Sequence, residues 1–371
     1  MKINLHKAFD SLHWDFISSI LRALLLPTRF IAWIETCFTQ ARYSIAFNGS
    51  LIGYFKGARG LRQGDPLSHT LFVLAMHVLS KMLNLDAAKG VFGYHPKCKR
   101  IGLTHLSFAA DLMIFCKGNA DSIMGVLSVL DHFYDISGLH LNSSKCEIFS
   151  AGCSSRSMDF FQHITGLKKG SLHVRYLGIP LVTHKLTEKD CVVLIEKIKK
   201  RLHHWSARNL SYAGRLELIR SVLFNVSNYW CRQLILPNLI LAKVDQLCSR
   251  FFWKCEDKSA SGARVRWDVI CFSKAEDGLG LKNTKIWNQA CSIDLIRKIL
   301  TGDGSLWVAW LKSYVFKDQD FWNFVTGSNV SWTVTRILKL HSIALTVLPS
   351  SGYLRLNDIW ESIRIKRVKV P

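Results

Sequence analysis

A nine-residue string, Gly60-Leu61-Arg62-Gln63-Gly64-Asp65-Pro66-Leu67-Ser68, constrains this chain more than any other part of it. Two glycines bracket a guanidinium and an amide. Asp-Pro then opens an apolar run, Leu71 to Met76, with helical spacing. That order reads as the entry to a helix, with Asp65 as N-cap and Pro66, its φ already set, in the first turn. Gly60 and Gly64 lack a Cβ, so the backbone can bend sharply there and let another backbone or a flat ring come close. An ordinary capped helix accounts for Asp-Pro but leaves Arg62 and Gln63, held between two glycines, unexplained.

The flanking sequence reads as an α+β beginning and a helical remainder. Asp10 is placed to cap a helix carrying Trp14, Ile17, Ile20 and Leu21 on one face, and Pro27 ends it or starts the next. Tyr43, Ile45 and Phe47 alternate into Asn48-Gly49, and Leu51 to Phe55 returns, a hairpin signal. A helix is expected from about Pro66 to Leu83, then short strands around Val91 to Tyr94 and Thr104 to Phe108. A return strand over Asp111 to Cys116 and a helix over Asp121 to Ser137 follow. After Pro180 the pattern is helical. Leu186 to Leu202 ends in Lys197, Lys199, Lys200 and Arg201, a basic last turn that suits the helix dipole as well as a phosphate contact. Two or three more helices, separated at Pro237, fill Ser206 to Trp253. Trp205, Trp230, Trp253, Trp267, Trp287 and Trp307 sit among aliphatic residues and read as core anchors. There is no repeat of fixed period, and the charged, small-residue stretch Asp257 to Arg264 is the best boundary.

At 371 residues and 49% hydrophobic content the chain is long enough for two or three domains with real cores. Its formal net charge of +22 points to a polyanionic partner, since Lys and Arg gain affinity by releasing the counterions of a phosphate backbone. Eleven cysteines without a Cys-x-x-Cys pair make neither a disulfide framework nor a zinc ribbon and imply a reducing compartment, nuclear or cytoplasmic. His95 and Cys98 have ligand-like spacing but no second pair beside them, and read as loop residues. No signal peptide is evident. The apolar stretch Phe16 to Ile34 is interrupted by Arg22, Pro27 and Arg29, so no membrane span is expected.

The string Gly60 to Ser68 resembles the template- and nucleotide-binding block of reverse transcriptases from non-LTR retrotransposons, especially the plant type. Other segments agree in order and distance. Lys2 to Trp14 resembles the first palm motif, and Thr104 to Phe115 the catalytic hairpin. Ser137-Gly138-Leu139-His140-Leu141-Asn142 with Lys145 resembles the next block, and Tyr176-Leu177-Gly178-Ile179-Pro180-Leu181 the one that grips the primer end. The likeness continues through Leu210 to Leu216, Gly278 to Leu281 and Trp287 to Ala290, and fades after about Trp310. It implies a polymerase palm, a small antiparallel sheet backed by helices, over residues 1–182. An all-α thumb over 183–257 and a helical C-terminal region over 258–371 would follow.

The same resemblance assigns roles. Phe9 stands where the family places the ring under the sugar. Arg62, Gln63 and Gly64 match the lining of template and nucleotide. Lys145 matches a lysine that protonates leaving pyrophosphate, and Tyr176, Leu177 and Gly178 match the primer grip. The family's partners are an RNA template and a DNA primer, and its cofactor is Mg2+ held by three aspartates. Here those positions are Asn4, Ala110 and Asp111, so only Asp111 remains as a metal ligand and Mg2+ binding is expected to be weak or lost. Asp10 follows the aromatic position and starts a helix, so it does not replace them. Only three residues precede Asn4, and the fingers segment is expected to be missing. The sequence thus reads as a degenerate RNA-directed DNA polymerase, inactive as written; the alternative is a non-catalytic nucleic-acid-binding remnant.

Overall fold

The computed structural model describes residues 1–171, 174–182, 184–206, 210–254, 263–317, 319–324, 330–348 and 354–367. The chain divides into two compact units, Met1–Ser171 and Leu172–Pro371.

The first unit is built on a five-stranded sheet. Its strands are β1 (Lys2–Asn4), β4 (His105–Phe108), β5 (Asp111–Ile114), β6 (Glu147–Ile148) and β7 (Lys168–Lys169), in the order β4-β5-β1-β6-β7. The pairs through β6 are antiparallel and β6–β7 is parallel, so the sheet is mixed rather than wholly antiparallel. The helices are α1 (Ala8–Ser11), α2 (Trp14–Ala23), α3 (Thr28–Thr39), α4 (Pro66–Ala88), α5 (Ala120–Ser137) and α6 (Ser155–Thr165). Between α3 and α4, β2 (Arg42–Phe47) and β3 (Ser50–Lys56) form a separate two-stranded ribbon. Asn48 (φ 46°) and Gly49 (φ 79°) supply its turn, as the Asn-Gly signal requires.

Helix α4 is longer than its sequence pattern implied, running to Ala88. It is long and apolar enough to cross a membrane. Here Leu71, Phe72, Ala75, Met76, Leu79 and Leu83 are buried in the core shared with α5 residues Val126, Val129, Leu130 and Phe133.

Several sequence expectations are corrected. Asp10 caps nothing: it lies inside α1, and α2 begins at Trp14 with His13 as N-cap. The chain leaves the helical path at Leu12, whose carbonyl accepts the Gly60 N–H at 2.8 Å. Val91 to Tyr94 is no strand and keeps only the single bridge Tyr94–Cys116. The Gly93 N–H is instead drawn to Ser122 Oγ on α5. The helix expected from Leu186 begins at Val192, because the Asp190 carboxylate accepts from both the N–H and the hydroxyl of Thr187 at 2.7 Å and closes a turn there.

The second unit opens with a tight hairpin, β8 (Arg175–Tyr176) and β9 (Ile179–Pro180), and is helical thereafter. Its helices are α7 (Val192–Ser206), α8 (Tyr212–Leu218), α9 (Phe224–Gln233), α10 (Asn238–Lys254), α11 (Trp267–Ile270) and α12 (Thr284–Thr301). The last four are α13 (Leu306–Leu311), α14 (Trp332–Leu338), α15 (His341–Val347) and α16 (Leu356–Ile363). One π turn, Ile219–Leu223, joins α8 to α9 without a break. A single hydrophobic core runs from Ile179 to Trp360, with Trp230 and Trp287 buried in it and Trp205, Trp253, Trp267 and Trp307 packed on it. Of the boundary stretch Asp257 to Arg264, residues 257–262 lie outside the described residues.

Candidate active site

The ends of β1 and β5 bring two of the three expected ligand positions together. Asn4 and Asp111 are direct partners in the antiparallel register, and Asn4 Nδ2 donates to Asp111 Oδ1 at 3.1 Å. The hairpin turn is Ala109-Ala110, with Ala109 at φ 50°, and the Ala110 carbonyl accepts the Leu5 N–H at 3.3 Å. Asn4 is fixed from its other side as well. Its carbonyl accepts the Asn142 N–H at 2.8 Å, and its own N–H lies 3.3 Å from the buried Cys146 Sγ. Burial pushes the Cys146 thiol up from its ordinary value, so it stays a neutral spacer beneath the strand. The Lys145 N–H donates to the Asn142 carbonyl, which places this exposed lysine on the turn paired with Asn4.

The donor set is poor for divalent ions. Mg2+ takes oxygen ligands in octahedral geometry, and a two-ion site needs carboxylates to bridge ions about 4 Å apart. Here one carboxylate is present, Ala110 offers a methyl group, and the Asn4 amide turns its nitrogen toward the carboxylate. The residues present do not fit a pair of metal ions. Among the described residues no cluster of three His, Cys, Asp or Glu side chains is arranged to hold one.

The Gly60 to Ser68 loop is tied to the α1–α2 segment that follows β1. A Cβ on Gly60 (φ 85°) would come within 2.6 Å of the Asp10 carbonyl oxygen, so glycine is needed for backbone-to-backbone approach rather than for a ligand. The Gly60 carbonyl accepts from Trp14 Nε1 at 2.8 Å, and the Leu61 N–H donates to the Phe9 carbonyl at 2.6 Å. Phe9, half-buried, stacks on Phe72 with centroids 4.6 Å apart and also faces His69 at 5.8 Å. Asp65 caps α4 as expected, accepting the Leu67 N–H at 2.9 Å. Its other oxygen takes Arg62 Nη2 at 2.7 Å, an i,i+3 pair that the spacing could have signalled. Arg62 is therefore held to the helix entry, whereas Gln63 and Gly64 (φ 93°) are exposed.

Tyr176, Leu177 and Gly178 belong to the second unit. Leu177 (φ 53°) and Gly178 (φ 79°) form the two-residue turn of the β8–β9 hairpin. The Tyr229 hydroxyl, on α9, donates to the Leu177 carbonyl at 2.8 Å. Nothing in the sequence around Tyr229 signals this partnership across fifty-odd residues.

The later segments of the resemblance are structural. Asn288, buried on α12, donates to the Cys231 and Leu234 carbonyls and accepts the Leu236 N–H. Trp287 Nε1 donates to Asn228, and Arg215 donates to the carbonyls of Leu210 and Phe252.

A small mixed sheet with its helices, followed in the chain by a helical region, is consistent with a reverse transcriptase palm. Residues 1–181 match the family described as reverse transcriptase (RNA-dependent DNA polymerase), and this part of the chain belongs to that family. Its relatives place it among the reverse transcriptases of non-LTR retrotransposons. The chain is 32% identical over 182 residues to the Pol polyprotein of the type-2 element R2DM of Drosophila melanogaster, which covers 48% of this chain and 16% of the relative. It is 28% identical over 155 residues to the Pol polyprotein of an R2 element of Popillia japonica, covering 42% of this chain and 25% of the relative. An Arabidopsis thaliana protein described as a ribonuclease H protein is 28% identical over 134 residues, 36% of this chain and 22% of the relative. The chain thus spans a quarter or less of the length of these curated relatives.

Proposed function

We propose that this chain holds an RNA template and a DNA primer without extending the primer, as a reverse transcriptase palm that has kept its nucleic-acid surfaces and lost its metal site. The observation that carries this reading is the hydrogen bond from Asn4 Nδ2 to Asp111 Oδ1. An amide in place of the opposing carboxylate removes one charge and also occupies a lone pair of the carboxylate that remains. Such a transfer usually owes more of its rate to electrostatic stabilisation of the developing charge than to any other effect, and a single engaged carboxylate supplies little of it.

The remaining roles follow the family pattern residue by residue. Phe9 keeps one face on Phe72 and is half-exposed, as a ring that both stays fixed and touches a sugar must be. Gln63 and Gly64 are open to a template or nucleotide, Arg62 orders the loop that carries them, and Lys145 extends from the turn beside Asn4. Tyr176, Leu177 and Gly178 form the hairpin expected to meet the primer end. The excess of Lys and Arg acts on phosphates, so affinity falls as salt rises and depends weakly on sequence. The Arabidopsis relative supports a plant-type element.

The test is magnesium binding followed by primer extension. The unmodified chain is expected to bind Mg2+ weakly and to extend a primer no faster than background. Asn4→Asp with Ala110→Asp is expected to raise Mg2+ affinity well beyond either substitution alone, because ligands of one site act as a unit. Magnesium-dependent, template-directed synthesis by the unmodified chain would overturn the reading.

A further inference from the structure

The β2–β3 ribbon of the first unit has two open edges and an apolar surface. Ile45, Phe47, Leu51, Ile52, Tyr54 and Phe55 are each half-exposed or more, in a sheet of only two strands. A two-stranded hairpin is marginal in water, and further strands or a packed helix are what steady one. The cross-strand register sorts these side chains. Tyr43 opposite Phe55, Ile45 opposite Ile52 and Phe47 opposite Ser50 share one face, with the Tyr43 and Phe55 rings stacked at 6.0 Å. The other face holds Ala46, Leu51 and Arg42, whose guanidinium lies 5.2 Å from the centre of the Tyr54 ring.

The two edges differ. The register shifts between Tyr43 and Ile45, so that Gly53 (φ 72°) and Tyr54 of β3 stand opposite the single Ser44, and such a bulge spoils an edge for further pairing. Strand β2 has no glycine, proline or lysine and no residue of positive φ. In a two-residue hairpin the pair beside the turn, here Phe47 and Ser50, exchanges hydrogen bonds. Ser44 and Ala46 are thereby left with their N–H and C=O groups at the open edge.

Charge and symmetry set what can pair with this edge. No carboxylate lies between Glu35 and Asp65, and the ribbon's two cations, Arg42 and Lys56, stand opposite each other at one end, while the Asn48-Gly49 turn at the other is neutral. A second β2 running antiparallel about a twofold axis at Ile45 sets Ser44 against Ala46 of the second copy and closes the outward groups. On the apolar face it sets Tyr43 beside Phe47 and Ile45 beside its own equivalent. On the other face Arg42 meets Asn48, so no like charges are opposed. We propose that two copies of this chain associate through β2 into a four-stranded sheet, ordered β3-β2-β2-β3. This interface is independent of the polymerase reading and stands whether or not the palm is active.

The experiment follows sedimentation of the whole chain over a range of concentrations, before and after nuclease treatment and at low and high salt. A reversible dimer is expected that survives nuclease and is held or strengthened by salt, since the two copies carry the same charge. Ile45→Lys sets two like charges against each other at the axis and is expected to weaken the dimer at least about tenfold. A Cys37→Ser background, which removes an exposed native thiol, allows a direct test of register. In it, Ile45→Cys is expected to crosslink to its own equivalent under mild oxidation, because residues opposed on neighbouring strands come within disulfide reach. Leu51→Cys, three strand spacings or roughly 14 Å from its equivalent, is expected not to. A monomer at every concentration, a dimer that Ile45→Lys leaves unchanged, or crosslinking of Leu51→Cys in place of Ile45→Cys would each overturn the proposal. So would loss of the dimer on nuclease treatment or at high salt, which would assign the ribbon to nucleic acid.

Discussion

The family-like segments of the two units do different physical work. In the first unit they lie on strand ends and turns: Asn4, Asp111, Gln63, Gly64 and Lys145 are half-buried or exposed, and their side chains close few backbone groups. In the second unit, Arg215 and Asn288 donate to backbone carbonyls, Gly278 is pressed against one, and Trp287 donates to the Asn228 side chain. Equal visibility in the sequence therefore conceals a division between residues that could meet a ligand and residues that hold the body together. Loss of the first kind is expected to leave the fold standing, and loss of the second kind to cost the fold itself.

The sharpest way to break this contrast is Gly278→Ala. A Cβ there would lie 2.1 Å from the Phe272 carbonyl oxygen, so the whole 272–280 turn must move. A loss of about 3 kcal/mol or more in the second unit is expected, read from thermal unfolding. A loss under about 0.5 kcal/mol, the range of ordinary surface changes, would end the argument that this glycine is structural.

Asn288→Leu comes next. It preserves bulk but strands the Leu236 N–H and the carbonyls of Cys231 and Leu234 inside the core. At about 1–3 kcal/mol for each unmet buried group, a total near 3 kcal/mol is expected from the urea midpoint.

In the first unit the effect should be smaller and conditional. Asn4→Asp sets two carboxylates across one strand pair and is expected to cost about 1 kcal/mol in chelator, since like charges directly opposite destabilise a ladder. Added Mg2+ should recover part of that loss. A loss of the same size with and without Mg2+ would show that the new carboxylate does not face Asp111.

A pH titration probes the second unit through one ion pair. Arg364, 2.6 Å from Glu276, holds that carboxyl down at about 2 from its ordinary 4.5. The folded value is depressed, so its stabilising contribution is full above about 4.5 and is lost as pH falls toward 2. Acid unfolding of the second unit should move to higher pH in Glu276→Gln. An unchanged acid limb would remove the pair from the account.

Gln63→Ala closes the series. This exposed side chain should alter stability by no more than about 0.5 kcal/mol while weakening primer-template binding in a filter or anisotropy assay. Unchanged binding would take Gln63 out of the proposed template surface.

Much of this was legible in the sequence because it rests on local rules. Asp65-Pro66 gave a cap, Asn48-Gly49 a turn, and Tyr43, Ile45 and Phe47 a ribbon, each within a few residues. The opposition of Asn4 and Asp111 was legible only through the family resemblance, since no local rule pairs residues so far apart. The unread parts share that non-locality. Asp10 had cap chemistry, but Gly60 docking on Leu12 bent the chain first. Gly93 was taken from a strand by Ser122 on a helix. Leu177 occupies a left-handed turn position that its side chain disfavours, and the Tyr229 hydroxyl that steadies it lies on a distant helix.

The π turn at Ile219–Leu223 carries a lesson about insertions and deletions. Such a turn holds one residue more than the helix around it needs, and deleting any one of the five would restore ordinary winding. In regular winding an extra residue would turn all of α9 by about 100° relative to α8; the wide turn takes it up locally and keeps α9 facing as it does. Asn228 thereby stays on Trp287, Tyr229 on Leu177 and Trp230 in the core. A codon lost from the regular winding beside it would instead undo three distant contacts without changing any of the residues that make them.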